Sequence, residues 1–209
     1  MTVKSEKEEQ SALLKKLKQN LDKERYTHTL GVAYTGAALA MNYDTDVGKA
    51  YIAGLLHDCA KCIPNKEKIA LCRKYGLNVT DSEERNPFML HAKLGSYLAE
   101  KEYGINDKEI SSAILYHTTG RPDMTLLEKI IFTADYIEPG RDKAKNLKEI
   151  RTLSFRDLDA AVEQICRDTL QYLSGMQTEI DPATRETYNY YKKFNEKRKN
   201  GEIKWTQGK

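Results

Sequence analysis

Val47-Gly48-Lys49-Ala50-Tyr51-Ile52-Ala53-Gly54-Leu55-Leu56-His57-Asp58-Cys59-Ala60 carries the strongest local signal in the chain. Asp46, just before it, is a good helix-capping residue, and the apolar run Ile52 to Leu56 stops on a His-Asp pair. The segment predicts a helix, and the pattern repeats outward in both directions. Upstream, Asp22 caps a helix running to about Met41, with Leu30, Ala33, Ala37 and Ala40 at helical spacing. Downstream, Asn65 to Tyr75 stops at Gly76, His91 to Tyr103 stops at Gly104, and Asp107 to His117 follows. Leu126 to Ile137 is ended by Glu138-Pro139-Gly140, and Ser154 to Leu173 reads as one long helix opening on Ser154-x-x-Asp157 and closing at Gly175. Asp181-Pro182 starts a last helix, and all five prolines fall between helical patterns or in a first turn. With no alternating β-branched runs and no Asn-Gly hairpin, a sheet is not expected, so the fold class is all-α.

Length and charge fit a single domain. The 209 residues, 40% apolar and 31% charged, suffice for a sizeable core, and no apolar run approaches the ~20 residues that span a bilayer. The first twenty residues show no secretory h-region, so a cytoplasmic protein is expected. The net charge of +3 belongs to the C-terminus: residues 185–209 hold eight Lys or Arg and three Glu, leaving −2 on the other 184. A nucleic-acid surface is therefore not expected. We expect one domain over 1–209, with a motif core at about 20–141, C-terminal helices at about 154–199 and a solvated basic tail at 200–209. The four cysteines are too few and scattered for a disulfide framework, and Cys59-x-x-Cys62 has neither a second pair for a zinc cage nor a βαβ scaffold for redox work. No Gly-rich phosphate loop of the P-loop kind occurs.

The histidines are more telling. There are four, His28, His57, His91 and His117, all within residues 28–117 and each at or near the end of an expected helix. Neutral imidazole is the commonest metal-binding side chain, and carboxylates supply the negative charge that an ion needs. His57 and Asp58, about 100° apart around a helix, can share an ion only in the wedge between them, with other helices closing the cage. Arg25-x-x-His28 offers one partner, because this spacing puts a ligand and a substrate-facing cation on one helix face. Asp135, within IIFTADYIEPGR (130–141), offers another. Singly, each residue has an ordinary explanation as a core histidine or a helix cap. The joint order His, His-Asp, His, His, Asp on successive helices points to a site.

That order resembles the HD superfamily of metal-dependent phosphohydrolases, and more closely the YqeK-type symmetrical diadenosine tetraphosphate hydrolases. The matching segments are Arg25-Tyr26-Thr27-His28-Thr29-Leu30-Gly31-Val32, Ala53 to Lys61, His91-Ala92-Lys93-Leu94-Gly95, Tyr116-His117-Thr118-Thr119-Gly120-Arg121 and Ala134 to Arg141, within a resemblance spanning about residues 20 to 190. The resemblance implies an HD-type helical bundle that hydrolyses diadenosine tetraphosphate to two ADP by attack of metal-activated water on a phosphoric anhydride. It implies His28, His57, Asp58 and Asp135 as metal ligands and iron as the metal; the residues alone would also accept manganese, zinc or cobalt. His91 and His117 either hold a second ion with Asp58 bridging, or face the polyphosphate as donors and general acid; we favour substrate contact. Asp58 would also orient or deprotonate the attacking water. Arg25, Lys61, Thr118 and Arg141 suit an anionic ligand beside His28 and Asp135. The segment Thr178 to Pro182 resembles a family segment that would set Ile180 beside the nucleoside. The same residues would also serve an HD phosphohydrolase of another nucleotide (a triphosphate, a cyclic nucleotide or an alarmone) or a nucleotide sensor without turnover. A homodimer stays open, and no membrane or specific nucleic-acid partner is expected.

Overall fold

Side-chain caps set most of the helix starts. Asp22, Asp46, Asp107 and Asp157 each accept a hydrogen bond from a backbone N–H in the turn that follows, and Thr80/Glu83 and Thr125/Glu128 form reciprocal capping boxes. A computed structural model describes residues 3–176 and 179–203, with side chains from residue 10 onward. Among them the chain forms α1 (Val3–Asn20), α2 (Lys23–Asn42), α3 (Val47–Leu56), α4 (Asn65–Lys74), α5 (Asp81–Arg85), a 3₁₀ turn (Pro87–Met89), α6 (Leu90–Lys101), α7 (Lys108–Tyr116), α8 (Leu126–Ile137), α9 (Leu147–Ser154), α10 (Leu158–Gly175) and α11 (Pro182–Lys199), with no strand among the described residues. The fold is the all-α bundle expected. No described helix is long and apolar enough to cross a membrane.

Three boundaries differ from the sequence pattern. The helix expected from Ser154 starts later: Ser154 ends α9, its hydroxyl donating back to Ile150 O at 2.6 Å, and Asp157 rather than Ser154 caps α10. The helix begun at Asp46 ends at Leu56, so His57 is its C-cap and Asp58 lies in the turn beyond rather than on the helix. Finally, α1, α5 and α9 had no counterpart among the expected elements. α1 is held by Leu13, Leu17 and Leu21, all buried in the main core, and by Lys16, which donates to Glu102 O at 2.6 Å.

Helices α2, α3, α7 and α8 pack on one another at the centre; α10 covers α8, and α11 covers α10. The main core runs through Leu39, Leu55, Leu56, Ile114, Ile130, Ile131 and Ile165, all essentially inaccessible. A satellite cluster of Ala60, Cys72, Leu90, Leu94 and Leu98 joins the turn after α3 to α4 and α6. All four cysteines are free; Cys59 is buried with its thiol 3.6 Å from Gly95 O, whereas Cys62 is exposed. Glu128 is fully buried at N3 of α8, where it accepts from Thr125 N, from the Ser112 hydroxyl and from the Arg121 guanidinium. Arg121, in the HTTGR segment, is thus a structural cation.

The α2–α3 contact positions the site. Gly54 faces Ala33 so closely that a Cβ at residue 54 would lie 2.6 Å from Ala33 Cα and 2.9 Å from its nitrogen. This backbone approach brings the end of α3 to α2, leaving the His28 and His57 ring centroids 5.3 Å apart. Alanine favours a helix over glycine by about 1 kcal/mol, but forced overpacking costs about 1–3 kcal/mol. Gly54→Ala should therefore lower the midpoint of thermal unfolding by several degrees, at about 2–4 °C per kcal/mol for a chain of this size; calorimetry of the two proteins checks this.

Candidate metal centre

Five helices deliver the site. His28 comes from the second turn of α2, His57 and Asp58 from the end of α3 and the turn after it, His91 from the start of α6, His117 from the C-cap of α7 and Asp135 from the last turn of α8. All four histidine rings converge on the Asp58 carboxylate, which is 2% exposed, and its two oxygens face different neighbours. Oδ2 lies 2.8 Å from Arg25 Nη1, 3.5 Å from His57 Nε2 and 3.9 Å from His28 Nε2. Oδ1 lies 3.2 Å from His91 Nε2, 3.5 Å from His117 Nε2 and 3.7 Å from Lys61 Nζ. Asp135 Oδ1 closes the first group, 3.0 Å from His28 Nε2 and 3.8 Å from His57 Nε2.

Arg25 donates to Asp58 Oδ2, and His91 Nε2 lies within hydrogen-bond distance of His117 Nε2 and Lys61 Nζ, but three atoms of the cluster have no such partner. His28 Nε2, His57 Nε2 and Asp58 Oδ1 are buried and find no hydrogen-bond partner of proper geometry, a costly arrangement for polar atoms unless something else binds them. The ring protons explain why. His57, His91 and His117 each donate Nδ1–H to the backbone carbonyl three residues back, Gly54 O at 2.7 Å, Phe88 O at 2.5 Å and Ile114 O at 2.7 Å, so each Nε2 presents a lone pair. His28 Nδ1 lies 3.0 Å from Glu138 Oε1. Lone pairs on imidazole and carboxylate aimed at one point are what a transition metal requires, and the donor set fits. His28, His57 and Asp58 form one group able to hold an ion, and Asp58, His91 and His117 form another.

Electrostatics agree. Burial alone would raise the pKa of Asp58, but His57, His117 and His91 hold it well below the usual carboxylate range. Asp135 is likewise raised by burial and pulled well below its usual value by His28, His57 and Arg141. Burial pushes His91 down to about 4 against the raising effect of Asp58, with Lys61 and His117 adding to the fall. Both carboxylates are ionised at neutral pH and His91 is a neutral imidazole.

Lys61, Thr118 and Arg141 lie around this cluster. Lys61 Nζ is 3.0 Å from His91 Nε2, and the Thr118 hydroxyl is 3.1 Å from His117 Nε2 and 3.3 Å from His91 Nε2. Arg141 binds Asp135 through both its side-chain oxygen, at 2.7 Å, and its carbonyl. A cleft of about 1190 Å³ reaches Arg25, His28, Asp135 and Arg141 from outside, with Lys143 and Tyr172 on its far wall. Ile180 is half-buried just ahead of α11, in a segment whose Glu179 accepts a two-pronged ion pair from Arg85. Thr178 lies outside the described residues, as does the end of the basic tail, 204–209.

Two further residues support the site without having been singled out in the sequence. Glu138 is buried against His28, and Arg151 of α9 donates to Ile137 O, Glu138 O and Arg141 O, pinning the turn that carries Glu138 and Arg141. In the sequence Glu138 is punctuation at a helix end, and Arg151 is one of many charges.

The chain resembles known proteins over most of its length. The HD domain model matches residues 25–140. The chain is 42% identical over 176 residues to a symmetrical bis(5′-nucleosyl)-tetraphosphatase of Bacillus subtilis (strain 168), covering 83% of this chain and 92% of that protein. It is 40% identical to the protein of the same description from Halalkalibacterium halodurans, covering 84% and 93%. The crystal structure of a predicted HD superfamily hydrolase involved in NAD metabolism from Clostridium acetobutylicum superposes with a TM-score of 0.85 at 41% identity, over 88% of this chain and 97% of that one. The chain thus belongs to the HD-domain hydrolase family, among the symmetrical bis(5′-nucleosyl)-tetraphosphatases.

Proposed function

We propose that this protein hydrolyses diadenosine tetraphosphate at the central anhydride, releasing two ADP in the cytoplasm. The observation that carries the chemistry is the buried Asp58 carboxylate, with the lone pairs of four imidazoles gathered around it and a cleft opening beside them. Symmetry of cleavage rests on the relatives, whose descriptions name it.

His28, His57, Asp58 and Asp135 would hold the ion, and we assign it as iron. When bound, the ion supplies Lewis acidity that polarises the phosphoryl oxygen under attack and makes water acidic enough to react near neutral pH. The chain's own residues position the rest. Asp58 orients the attacking water. Arg25, Lys61 and Arg141 offset the charge of the phosphate chain, and Thr118 offers it a hydroxyl. His91 and His117 contact the phosphates; His91 Nε2, a lone pair at rest beside Lys61 Nζ, must take up a proton before it can give one to the departing oxygen. Ile180 borders one nucleoside. A second reading has an observation of its own: Asp58 Oδ1, His91 Nε2 and His117 Nε2 present three lone pairs to one point, which suits a second ion with Asp58 bridging.

Three measurements test these assignments. Metal-loaded protein given diadenosine tetraphosphate should yield ADP as sole product; ATP plus AMP would refute symmetrical cleavage, and a substrate found only among other nucleotides would refute the substrate. Asp135→Ala should lose metal and activity together, and unchanged metal content in that variant would refute the cage. His91→Ala should keep the core ion while turnover falls about 100-fold or more, the usual loss for a positioned acid–base group. Loss of one equivalent from a protein that began with two would establish the second-ion reading instead.

A further inference from the structure

Each imidazole in the cluster has its Nδ1 proton held, but not in the same way. For His57 and His117 the acceptor is the carbonyl three residues back, and both lie at the C-caps of helices, where carbonyls have no intrahelical partner. His91 follows the short 3₁₀ turn and uses Phe88 O in the same manner. His28 has no such recourse. It lies inside the twenty-residue α2, where carbonyls already accept from N–H groups one turn ahead. Its acceptor comes from 110 residues away: Glu138, 4% exposed at the end of α8, with Oε1 3.0 Å from His28 Nδ1.

We propose that Glu138 is a positioning residue that holds the proton on His28 Nδ1 and so keeps the Nε2 lone pair aimed at the metal; this rests on His28 being a ligand. Both carboxylate oxygens are engaged by donors, Oε1 by His28 and Oε2 by Gly140 N at 2.6 Å. A carboxylate only accepts, so the proton between Glu138 and His28 must reside on the ring. The negative charge also enriches the ring and strengthens the ligand. The chain makes room for this contact. Gly31, one turn after His28 on the same face of α2, faces the carboxylate: a Cβ there would lie 2.4 Å from Glu138 Oε2 and 3.1 Å from Cδ. Arg151 fixes the carbonyl of Glu138 at 2.9 Å, so the backbone that carries the carboxylate is held and only its side chain can give way.

Two substitutions separate this role from a merely structural one. In Glu138→Gln one oxygen must serve two donors. Gly140 N–H cannot change, so the amide NH₂ turns to His28 and drives its proton to Nε2, the atom needed by the metal. Gly31→Ala keeps the charge and improves the helix, but pushes the carboxylate away. We expect manganese(II) titrated into the metal-free proteins to bind both variants about 10–100-fold more weakly than the unaltered chain. We expect ¹⁵N NMR of the metal-free protein to show His28 Nδ1 protonated in the unaltered chain and unprotonated in Glu138→Gln, Nε2 facing Asp135 in both, with the other three rings unchanged. Unaltered manganese affinity with an unaltered His28 tautomer in Glu138→Gln would overturn the proposal; if that variant does not fold, unaltered affinity in Gly31→Ala would overturn it. His28→Ala separates the two levels. If it too binds manganese normally, the ligand assignment fails; if it does not bind while Glu138→Gln does, only the role of Glu138 fails.

Discussion

A carboxylate buried at the meeting point of five helices is the constraint on which this molecule is built. Removing Asp58 from water is expensive, and its charge is offset there by Arg25 and Lys61 and by the four imidazoles that separate it from Asp135 and the rest of the core. Because each oxygen has its own set of neighbours, the side chain cannot turn without breaking one set. The helices must therefore arrive at fixed distances, and the features that set those distances do little else: the close approach of Gly54 to Ala33, the satellite cluster that anchors the turn after Asp58, and the Glu128 network that fixes the start of α8 against α7 and the HTTGR loop.

Helices α9 to α11 brace the site from outside. α10 covers α8, α11 covers α10, and α11 reaches back to the loop after α7, where the Tyr191 hydroxyl accepts from Met124 N and the Tyr190 hydroxyl donates to Asp123. α9 contributes Arg151, whose three bonds go to carbonyls at a helix end and a turn, one of which, Glu138 O, also accepts from Arg141 N. The charge on this residue is spent on backbone geometry. That separates it from Arg25 and Arg141, which pair with the carboxylates of the site itself.

Much of this was legible in the sequence because the signals are local. The His-Asp pair ends an apolar run, Asp22, Asp46, Asp107 and Asp157 mark helix starts, and Lys61 follows Asp58 at a spacing that brings it back to the same carboxylate. What was not legible depends on partners far apart in the chain. Ser154 and Asp157 both look like caps in a linear pattern; only the bond from Ser154 back to Ile150 shows which residue ends a helix and which begins one. Leu13 and Leu17 of α1, and Leu21 just after it, become core only through what packs on them. Glu138 pairs with a residue 110 positions earlier, and no periodicity reports that. The split of the Asp58 oxygens is likewise a property of side-chain rotation, invisible to spacing.

The clamp by Arg151 also bears on how the molecule is made. The four imidazoles and Asp58 leave the ribosome before Asp135, Glu138 and Arg151 do, so for part of its synthesis the nascent chain exposes a partial set of strong nitrogen ligands with no cage to discriminate among ions. Selectivity by geometry begins only when α8 docks on α2 and α9 locks the turn behind it. The cage is thereby complete only once the chain has been made past residue 151, because Arg151 holds the turn that carries Glu138 and Arg141.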